Sequence, residues 1–314
     1  MGPQQTVKQL LARVDRWQRH HAALGFPLAV LKRFGEHGGG RLAATISYWS
    51  FFSVFPLLLA FVTILNVVLR DDAERRAELV DGALGQIPVI GTDLGDQQEA
   101  LGGSWLTVSL GLLAALWTGL GAARSLQVAL ELIADTPRYD RPNPAMQRVR
   151  ALGFLVVLAI GLAVSTLGAN AADIIDWGPA TTALGLVVTF VVDTAVVLVA
   201  YSVLATSANV LRLLLPGAIL AGAALVGLQV AGSWVVQRYI SGASDTYGTF
   251  AVVIALLSWF FLLSRITLYG AEVNGVLAHQ LSPRALTSDS PPTDADRRAA
   301  DLDIQRVRSR PGEA

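Results

Sequence analysis

The segment 213–277 decides the fold of this chain, and it reads LLLPGAILAGAALVGLQVAGSWVVQRYISGASDTYGTFAVVIALLSWFFLLSRITLYGAEVNGVL. Its pattern predicts two apolar helices joined by the polar turn 237–247. In the first helix Ala223, Gly227 and Ala231 recur at every fourth position, a spacing that lets a second helix approach closely in lipid. The second helix is bulky and aromatic, with an arginine and a glutamate near its end. Two helices of bilayer length with charges confined to one end predict a membrane protein.

The composition of the whole chain supports this prediction. Of the 314 residues, 53% are hydrophobic and only 15% are charged, whereas about 25% are charged in an ordinary soluble domain. The chain contains no cysteine, which excludes disulfides and thiolate metal sites. Residues 1–41 are basic and amphipathic and lack the apolar core of a cleavable signal peptide, so we expect the first span to direct insertion.

Apolar runs of bilayer length recur along the chain. They predict an all-α fold, namely an integral membrane bundle of six transmembrane helices with an N-terminal amphipathic cytoplasmic helix. The predicted organisation is a cytoplasmic segment 1–41, a transmembrane domain 42–278 and a disordered cytoplasmic tail 279–314, which is rich in charge, proline and serine. The spans are expected at about 42–69, 105–123, 151–167, 182–206, 213–236 and 249–269.

The distribution of lysine and arginine predicts the orientation. Basic residues are concentrated before the first span, in the loop after the second span and after the sixth span. The segments 70–103 and 168–181 and the turn near Arg238 hold few or none. Because basic residues stay on the cytoplasmic side, both termini are expected inside a bacterial plasma membrane that the chain crosses several times.

Residues 5–23 form an amphipathic pattern that predicts a surface helix. Its basic face is expected to bind anionic lipid head groups at the bilayer surface. A helix packed on the protein's own cytoplasmic side explains the same pattern equally well. The apolar stripe consists of Val7, Leu10, Leu11, Val14 and Trp17.

Three phrases resemble motifs of the YihY/BrkB family of bacterial inner-membrane proteins. They are RLAATISYWSFFSVFPLLLAF at 41–61, LRLLLPGAILAG at 211–222 and YGTFAVVIALLSWFFLLSRITLYGAEVN at 247–274. The matching positions are Ala44, Tyr48, Ser53, Phe55, Pro56, Leu215, Pro216, Gly217, Ala218, Tyr247, Gly248, Gly270, Ala271 and Glu272. The resemblance covers about residues 30–280 and implies a six-helix membrane protein. It supplies no molecular activity, although the family has carried a ribonuclease BN label.

The residues themselves argue against an enzyme. A metal-dependent nuclease needs clustered histidines and carboxylates, but His20, His21, His37 and His279 match no metal-binding spacing and none lies near an acidic cluster in the sequence. The arginines at 138–150 are explained by the orientation of a cytoplasmic loop. We therefore expect no catalytic residues, no metal, no cofactor and no nucleic-acid partner.

Charged residues within or at the ends of the spans are the candidates for function, because a charge in hydrocarbon costs at least about 2.5 kcal/mol. Asp193 lies near the middle of the fourth span, where it either lines a polar cavity or makes a neutral hydrogen bond between helices. Arg124, Glu131, Arg265 and Glu272 lie at the inner ends of spans two and six. Pairing of Arg124 with Glu272, or of Arg265 with Glu131, would form a charged gate or a structural clamp.

The sequence leaves two functions open. The first is a transporter of an unidentified solute or lipid, whose first span bends at Pro56 and whose polar cavity surrounds Asp193. The second is a non-transporting membrane scaffold or envelope-integrity factor. A cavity lined by the charged candidates favours the first and a fully packed bundle favours the second, while a homo-oligomer is compatible with both.

Overall fold

The computed structural model describes residues 15, 17–18, 22–68, 105–174, 179–205, 211–235, 244–285 and 290–307. Within these ranges the chain is all-helical, with a single 3-10 turn at Arg138–Asp140 and no strand. Eight α-helices have both ends within these ranges, namely α1 (Ala22–Glu36), α2 (Gly39–Val68), α3 (Trp105–Ile133), α4 (Pro144–Ile174), α5 (Pro179–Leu204), α6 (Leu211–Val235), α7 (Ser244–Ala278) and α8 (Asp294–Val307).

The six long helices α2 to α7 form a closed ring. Each packs against the next in chain order, and α7 returns to pack against α2. The short helix α1 packs on α7 and α2 at one end of this ring. Helix α2 begins at that end of the ring, and α3 and α7 finish there. Residues that are far apart in the sequence therefore meet at that end.

The outer surface of the ring is apolar. Leu113, Trp117 and Phe250 are 64%, 75% and 70% exposed, which is unfavourable in water and ordinary in lipid. Among the described residues, four helical segments are long and apolar enough to cross a membrane, namely Pro144–Gly161, Ala183–Leu204, Leu211–Gly232 and Val253–Ala278. The prediction of an all-helical protein is therefore confirmed for the described residues, and four of its helices are candidate spans. The six crossings stay a prediction.

The close contact between α6 and α7 uses different small residues from those that the sequence pattern suggested. A Cβ on Gly217 would overlap the carbonyl oxygen of Gly270, so the two backbones approach as closely as glycine permits. The predicted stripe of Ala223, Gly227 and Ala231 is exposed instead. The prediction of their packing was wrong because regular spacing fixes which residues share a face but not which neighbour that face meets.

The tail also differs from the prediction of disorder. Helix α8 begins with a capping box, in which the backbone nitrogen of Asp296 donates to Thr293 Oγ1 at 3.2 Å and the backbone nitrogen of Thr293 donates to Asp296 Oδ2 at 3.0 Å. The helix packs against α1 and α7 through Ala299 and Leu302, which lie on an apolar cluster. The buried members of this cluster are Ala29, Val30, Val273, Val276 and Leu281. Low hydrophobicity suggested disorder, but ion pairs with the rest of the protein hold this segment.

Candidate functional site

Four buried ionisable side chains meet at the end of the ring where α1 lies, and we call them the charged cluster. They are Arg33 of α1, His37 of the following turn, Asp135 just after α3, and Glu272 of α7. Their exposed fractions are 3%, 8%, 8% and 0%. Charged groups are almost never buried to this extent unless they are paired, and here each contacts a partner of opposite charge.

Arg33 is the centre of the charged cluster. Its Nε donates to Glu272 Oε2 at 2.8 Å, and its Nη2 donates to Asp135 Oδ2 at 2.5 Å and to the carbonyl oxygen of Ile133 at 2.6 Å. The guanidinium therefore ties α1 both to α7 and to the C-terminal end of α3. The carbonyl of Ile133 belongs to the last turn of α3, where helical backbone acceptors have no partner within the helix.

His37 completes the pairing of both carboxylates. Its Nδ1 lies 2.7 Å from Glu272 Oε1, and its Nε2 lies 3.7 Å from Asp135 Oδ1. Burial alone would lower the pKa of His37, but the contacts with Asp135 and Glu272 outweigh burial and raise the pKa to about 9. The imidazole is therefore protonated at neutral pH, and two positive charges balance two negative charges.

Two local features of the chain position these groups. Gly38 has φ of +65°, which allows the chain to turn sharply between α1 and α2 and brings His37 next to Arg33. Asp135 has φ of +50°, the left-handed conformation that often ends a helix and that aspartate tolerates better than most residues. The pKa of Asp135 is held below its usual value because the contacts with His37 and Arg33 outweigh burial.

A metal ion has one candidate set of ligands among the described residues. His37, Asp135 and Asp303 each offer an atom within 4.8 Å of the others. However, the Arg306 guanidinium already contacts both carboxylates, with Nη1 at 3.5 Å from Asp135 Oδ1 and Nη2 at 2.8 Å from Asp303 Oδ1. The positive charge at this position is thus supplied by arginine.

The pairings proposed from the sequence are wrong. Glu272 pairs with Arg33 and His37, whereas Arg124 is exposed on the ring. Glu131 is 1% exposed, accepts a hydrogen bond from Gln127 Nε2 at 3.3 Å and lies 3.6 Å from the Nε of Arg141. The spacing along α3 and α7 placed these groups at the correct end, but the arginine that reaches Glu272 comes from α1.

Arg265 lies among aromatic rings. Its Nη2 donates to the hydroxyl of Tyr269 at 3.1 Å, and its guanidinium carbon lies 5.6 Å from the ring centres of Phe34, Phe261 and Tyr269. Phe34 in turn stacks on Tyr269 with 4.0 Å between ring centres. The predicted carboxylate partner is replaced by cation–π contacts, which are strong where water is excluded.

Asp193 makes a hydrogen bond between helices. Gln229 of α6 donates from Nε2 to Asp193 Oδ2 at 3.0 Å, across the contact between α5 and α6. Of the two roles that the sequence allows Asp193, a polar cavity or a hydrogen bond between helices, the structure contains the hydrogen bond. Pro56 lies inside α2, which continues to Val68; the bend that we predicted there stays a prediction.

A cavity of about 30 Å³ lies next to the charged cluster, which is room for about one water molecule. None of Asp193, Arg124, Arg265 and Glu272 lines it. The lining is mostly apolar, with Tyr201 and Asn274 as the polar side chains inside the ring and His279 at the end of α7. The remaining lining residues are Leu130, Ile133, Ala134, Ala205, Leu214, Ala271 and Gly275.

Sequence reasoning missed Arg33 and Asp135, and it was wrong to separate His37 from acidic groups. His37 lies 235 positions from Glu272 in the chain, and Arg33 lies 102 positions from Asp135. No local spacing in the sequence can therefore indicate these contacts. The sequence did contain a signal for the helix in the tail, because TDAD at 293–296 is the pattern of a capping box at the start of a helix. Most of the predicted surface helix 5–23 lies outside the described residues, although Gln18 Nε2 donates to the carbonyl of Arg284 at 2.6 Å.

The fold and the site define a class, namely helical membrane proteins with a buried charge network at one end. The chain belongs to the family described as virulence factor BrkB, whose family model matches residues 30–295. It is 24% identical over 275 residues to the ribonuclease-like protein YfkH of Bacillus subtilis strain 168, which covers 81% of this chain and 95% of that protein. No solved structure matches the chain. The suspected family is thereby confirmed.

Proposed function

We propose that this chain is a transporter of an unidentified solute or lipid, which crosses a bacterial plasma membrane six times and is closed at one end by the charged cluster. The supporting observation is the cluster itself. Four ionisable groups from four segments are buried and mutually paired. A buried ion pair contributes little net stability, because removing its charges from water offsets their attraction. Such groups are well suited to an element that alternates between paired and separated states.

The distribution of basic residues supports a cytoplasmic position for the closed end. Lysine and arginine are concentrated in the segments that precede α2, link α3 to α4 and follow α7. All three segments join the ring at the end where the charged cluster lies. In this orientation, the surface helix 5–23 would meet anionic lipids of the inner leaflet.

The position of the cavity fits the same proposal. Gly275 and Ile133 line the cavity. The guanidinium of Arg33 binds the carbonyl of Ile133 and lies where a Cβ on Gly275 would meet it, so Arg33 is a neighbour of the cavity. Passage of a solute would require Arg33 to leave Glu272 and Asp135. Asp193 and Gln229 would then provide the polar groups within the span, where a carboxylate is costly unless it has a role.

Reconstitution into proteoliposomes tests the proposal. Uptake of a panel of charged and neutral solutes, and movement of fluorescent lipids between leaflets, are compared for the wild type, Asp193→Asn and the exposed control Asp301→Asn. We expect a solute or lipid that moves faster than in protein-free liposomes, and slower transport in Asp193→Asn alone. A folded protein that moves none of the panel would overturn the proposal, and unchanged rates in Asp193→Asn would remove that residue from the mechanism.

A scaffold is the second candidate, and the small cavity favours it. The cavity of about 30 Å³ between the described parts of the helices is too small to pass a larger solute unless the helices that line it separate. Accessibility of single cysteines distinguishes the two candidates, since the parent chain has none. Cysteine at Ala205 or Leu214 of the cavity should react with a maleimide in a transporter that opens and stay protected in a rigid scaffold.

A further inference from the structure

We propose that α8 is an ionic latch, which closes the end of the ring over the charged cluster and is released by rising salt. This inference concerns the docking of α8 alone and does not depend on what the protein moves. Helix α8 makes two kinds of contact with the rest of the chain, a small apolar contact and a set of ion pairs, and the ion pairs hold it in place.

The apolar contact of α8 is small. Of its side chains, Ala295 is 2% exposed, and Ala299 and Leu302 are partly buried against α1 and α7. Most of the other residues are charged, as the sequence DADRRAADLDIQRV shows. A helix of 14 residues is marginal by itself in water, so docking must hold it in place. Two alanines and one leucine supply little of that docking.

The N-terminal end of α8 is anchored at Asp296. Its Oδ1 accepts from Lys32 Nζ and from Arg284 Nε, both at 3.0 Å, and its Oδ2 accepts from the backbone nitrogen of Ala285 at 2.9 Å. Arg284 also binds Glu36 of α1 through two nitrogens, at 2.6 and 3.1 Å. The pKa of Asp296 is held far below its usual value, since these hydrogen bonds outweigh its burial. This carboxylate therefore connects α8 to α1 and to the segment after α7.

The C-terminal end of α8 is anchored at the charged cluster. Arg306 contacts Asp135 at 3.5 Å and thus adds a cation to the buried network from outside. Its side chain is 21% exposed, whereas that of Asp135 is 4% exposed. The guanidinium lies between solvent and the cluster, so that undocking of α8 would open Asp135 to water.

Salt should act selectively on these contacts. The screening length falls from about 10 Å in 0.1 M salt to about 3 Å in 1 M salt, and exposed pairs are screened far more than buried pairs. The pairs of Lys32 and of Arg306 each include a side chain that is 21–28% exposed. The Arg284–Asp296 pair is more sheltered, at 6% and 13%, and the Arg33–Glu272 pair is the most buried, at 3% and 0%. High salt should release α8 while the pairs of Arg33 persist.

Single cysteines in the cysteine-free chain test the latch. Ala295→Cys reports on the buried face of α8, Ala300→Cys on its exposed face and Ala218→Cys on the core of the ring. Each full-length variant is reconstituted in nanodiscs, and its rate of reaction with a maleimide is measured in salt from about 0.05 M to about 1 M. We expect Ala295→Cys to react slowly in low salt and about tenfold faster in high salt, with little change in the two controls.

A second substitution identifies the ion pairs as the cause. Asp296→Asn should make Ala295→Cys react fast already in low salt, whereas Asp301→Asn removes the same charge from the exposed face and should have no effect. The proposal is overturned if Ala295→Cys stays slow at every salt concentration, or if in low salt it already reacts as fast as Ala300→Cys. A parallel rise at Ala218→Cys would show global unfolding instead of a latch.

Discussion

Replacing His37 by glutamine should change how the stability of this protein depends on pH. His37 is buried between Asp135 and Glu272, and these contacts raise its pKa from 6.5 to about 9. One unit of pKa corresponds to about 1.4 kcal/mol, so the protonated imidazole contributes about 3 kcal/mol to the free energy of unfolding. Glutamine can keep one hydrogen bond but cannot carry the charge.

The sign of the effect follows from the raised pKa. Below about pH 6.5 the histidine is protonated in both the folded and the unfolded chain, and the full contribution is present. As the pH rises, the unfolded chain loses this proton first, so that the contribution declines until it is lost at about pH 9. The wild type should therefore exceed His37→Gln in stability at pH 6 and lose this advantage by about pH 9 to 10.

Thermal unfolding followed by tryptophan fluorescence in detergent, at a series of pH values, measures this difference. We expect the Tm of His37→Gln to lie roughly 5 °C or more below that of the wild type at pH 6, with a gap that closes toward pH 10. His279→Gln is the matched control, because burial and the charge of Arg33 lower the pKa of His279 and leave it neutral over the alkaline range. A gap that is constant with pH would refute the reasoning, since it would mean that the pKa of His37 is the same in the folded and the unfolded chain.

Two further predictions test the buried contacts. Glu272→Gln should lower the free energy of unfolding by about 3 kcal/mol, because Arg33 and His37 then share one remaining carboxylate. In the control Glu36→Gln the carboxylate is 41% exposed, and its loss should cost about 1 kcal/mol or less. Equal losses of stability in chemical denaturation would contradict this prediction. Gly217→Ala should lower the free energy of unfolding by about 1–3 kcal/mol, because the added Cβ forces α6 away from α7. The control Gly153→Ala should be neutral or stabilising, since a Cβ at that position meets nothing within 4 Å. A Gly217→Ala variant with the Tm of the wild type would show that the two backbones do not meet.

The resemblance to a family can now be read in physical terms. Asn274, which follows the GAE motif of α7, accepts from the backbone nitrogen of Gly217 at 2.8 Å and donates to the carbonyl of Leu214 at 3.0 Å. The LPGA and GAEVN phrases are thus two halves of one helix contact. Both phrases can be read from the sequence, but their contact is visible only in the structure.

The class of the protein could be predicted from the amino-acid sequence. Apolar runs of bilayer length are local properties of the chain, because in lipid each helix satisfies its own backbone hydrogen bonds. The elements of the bundle could therefore be predicted one at a time, and Glu131 and Glu272 could be placed at the end of the ring from their positions in α3 and α7.

The tertiary structure alone decided the partners. Arg33 reaches Glu272 across 239 positions, Asp296 binds Lys32 across 264, and the small face of α6 that meets α7 is the one that contains Gly217. Helical spacing fixes which residues share a face, but the rotation of each helix and the docking of α1 and α8 depend on packing over the whole bundle. For this reason the charged cluster, unlike the spans, had no signature in the sequence.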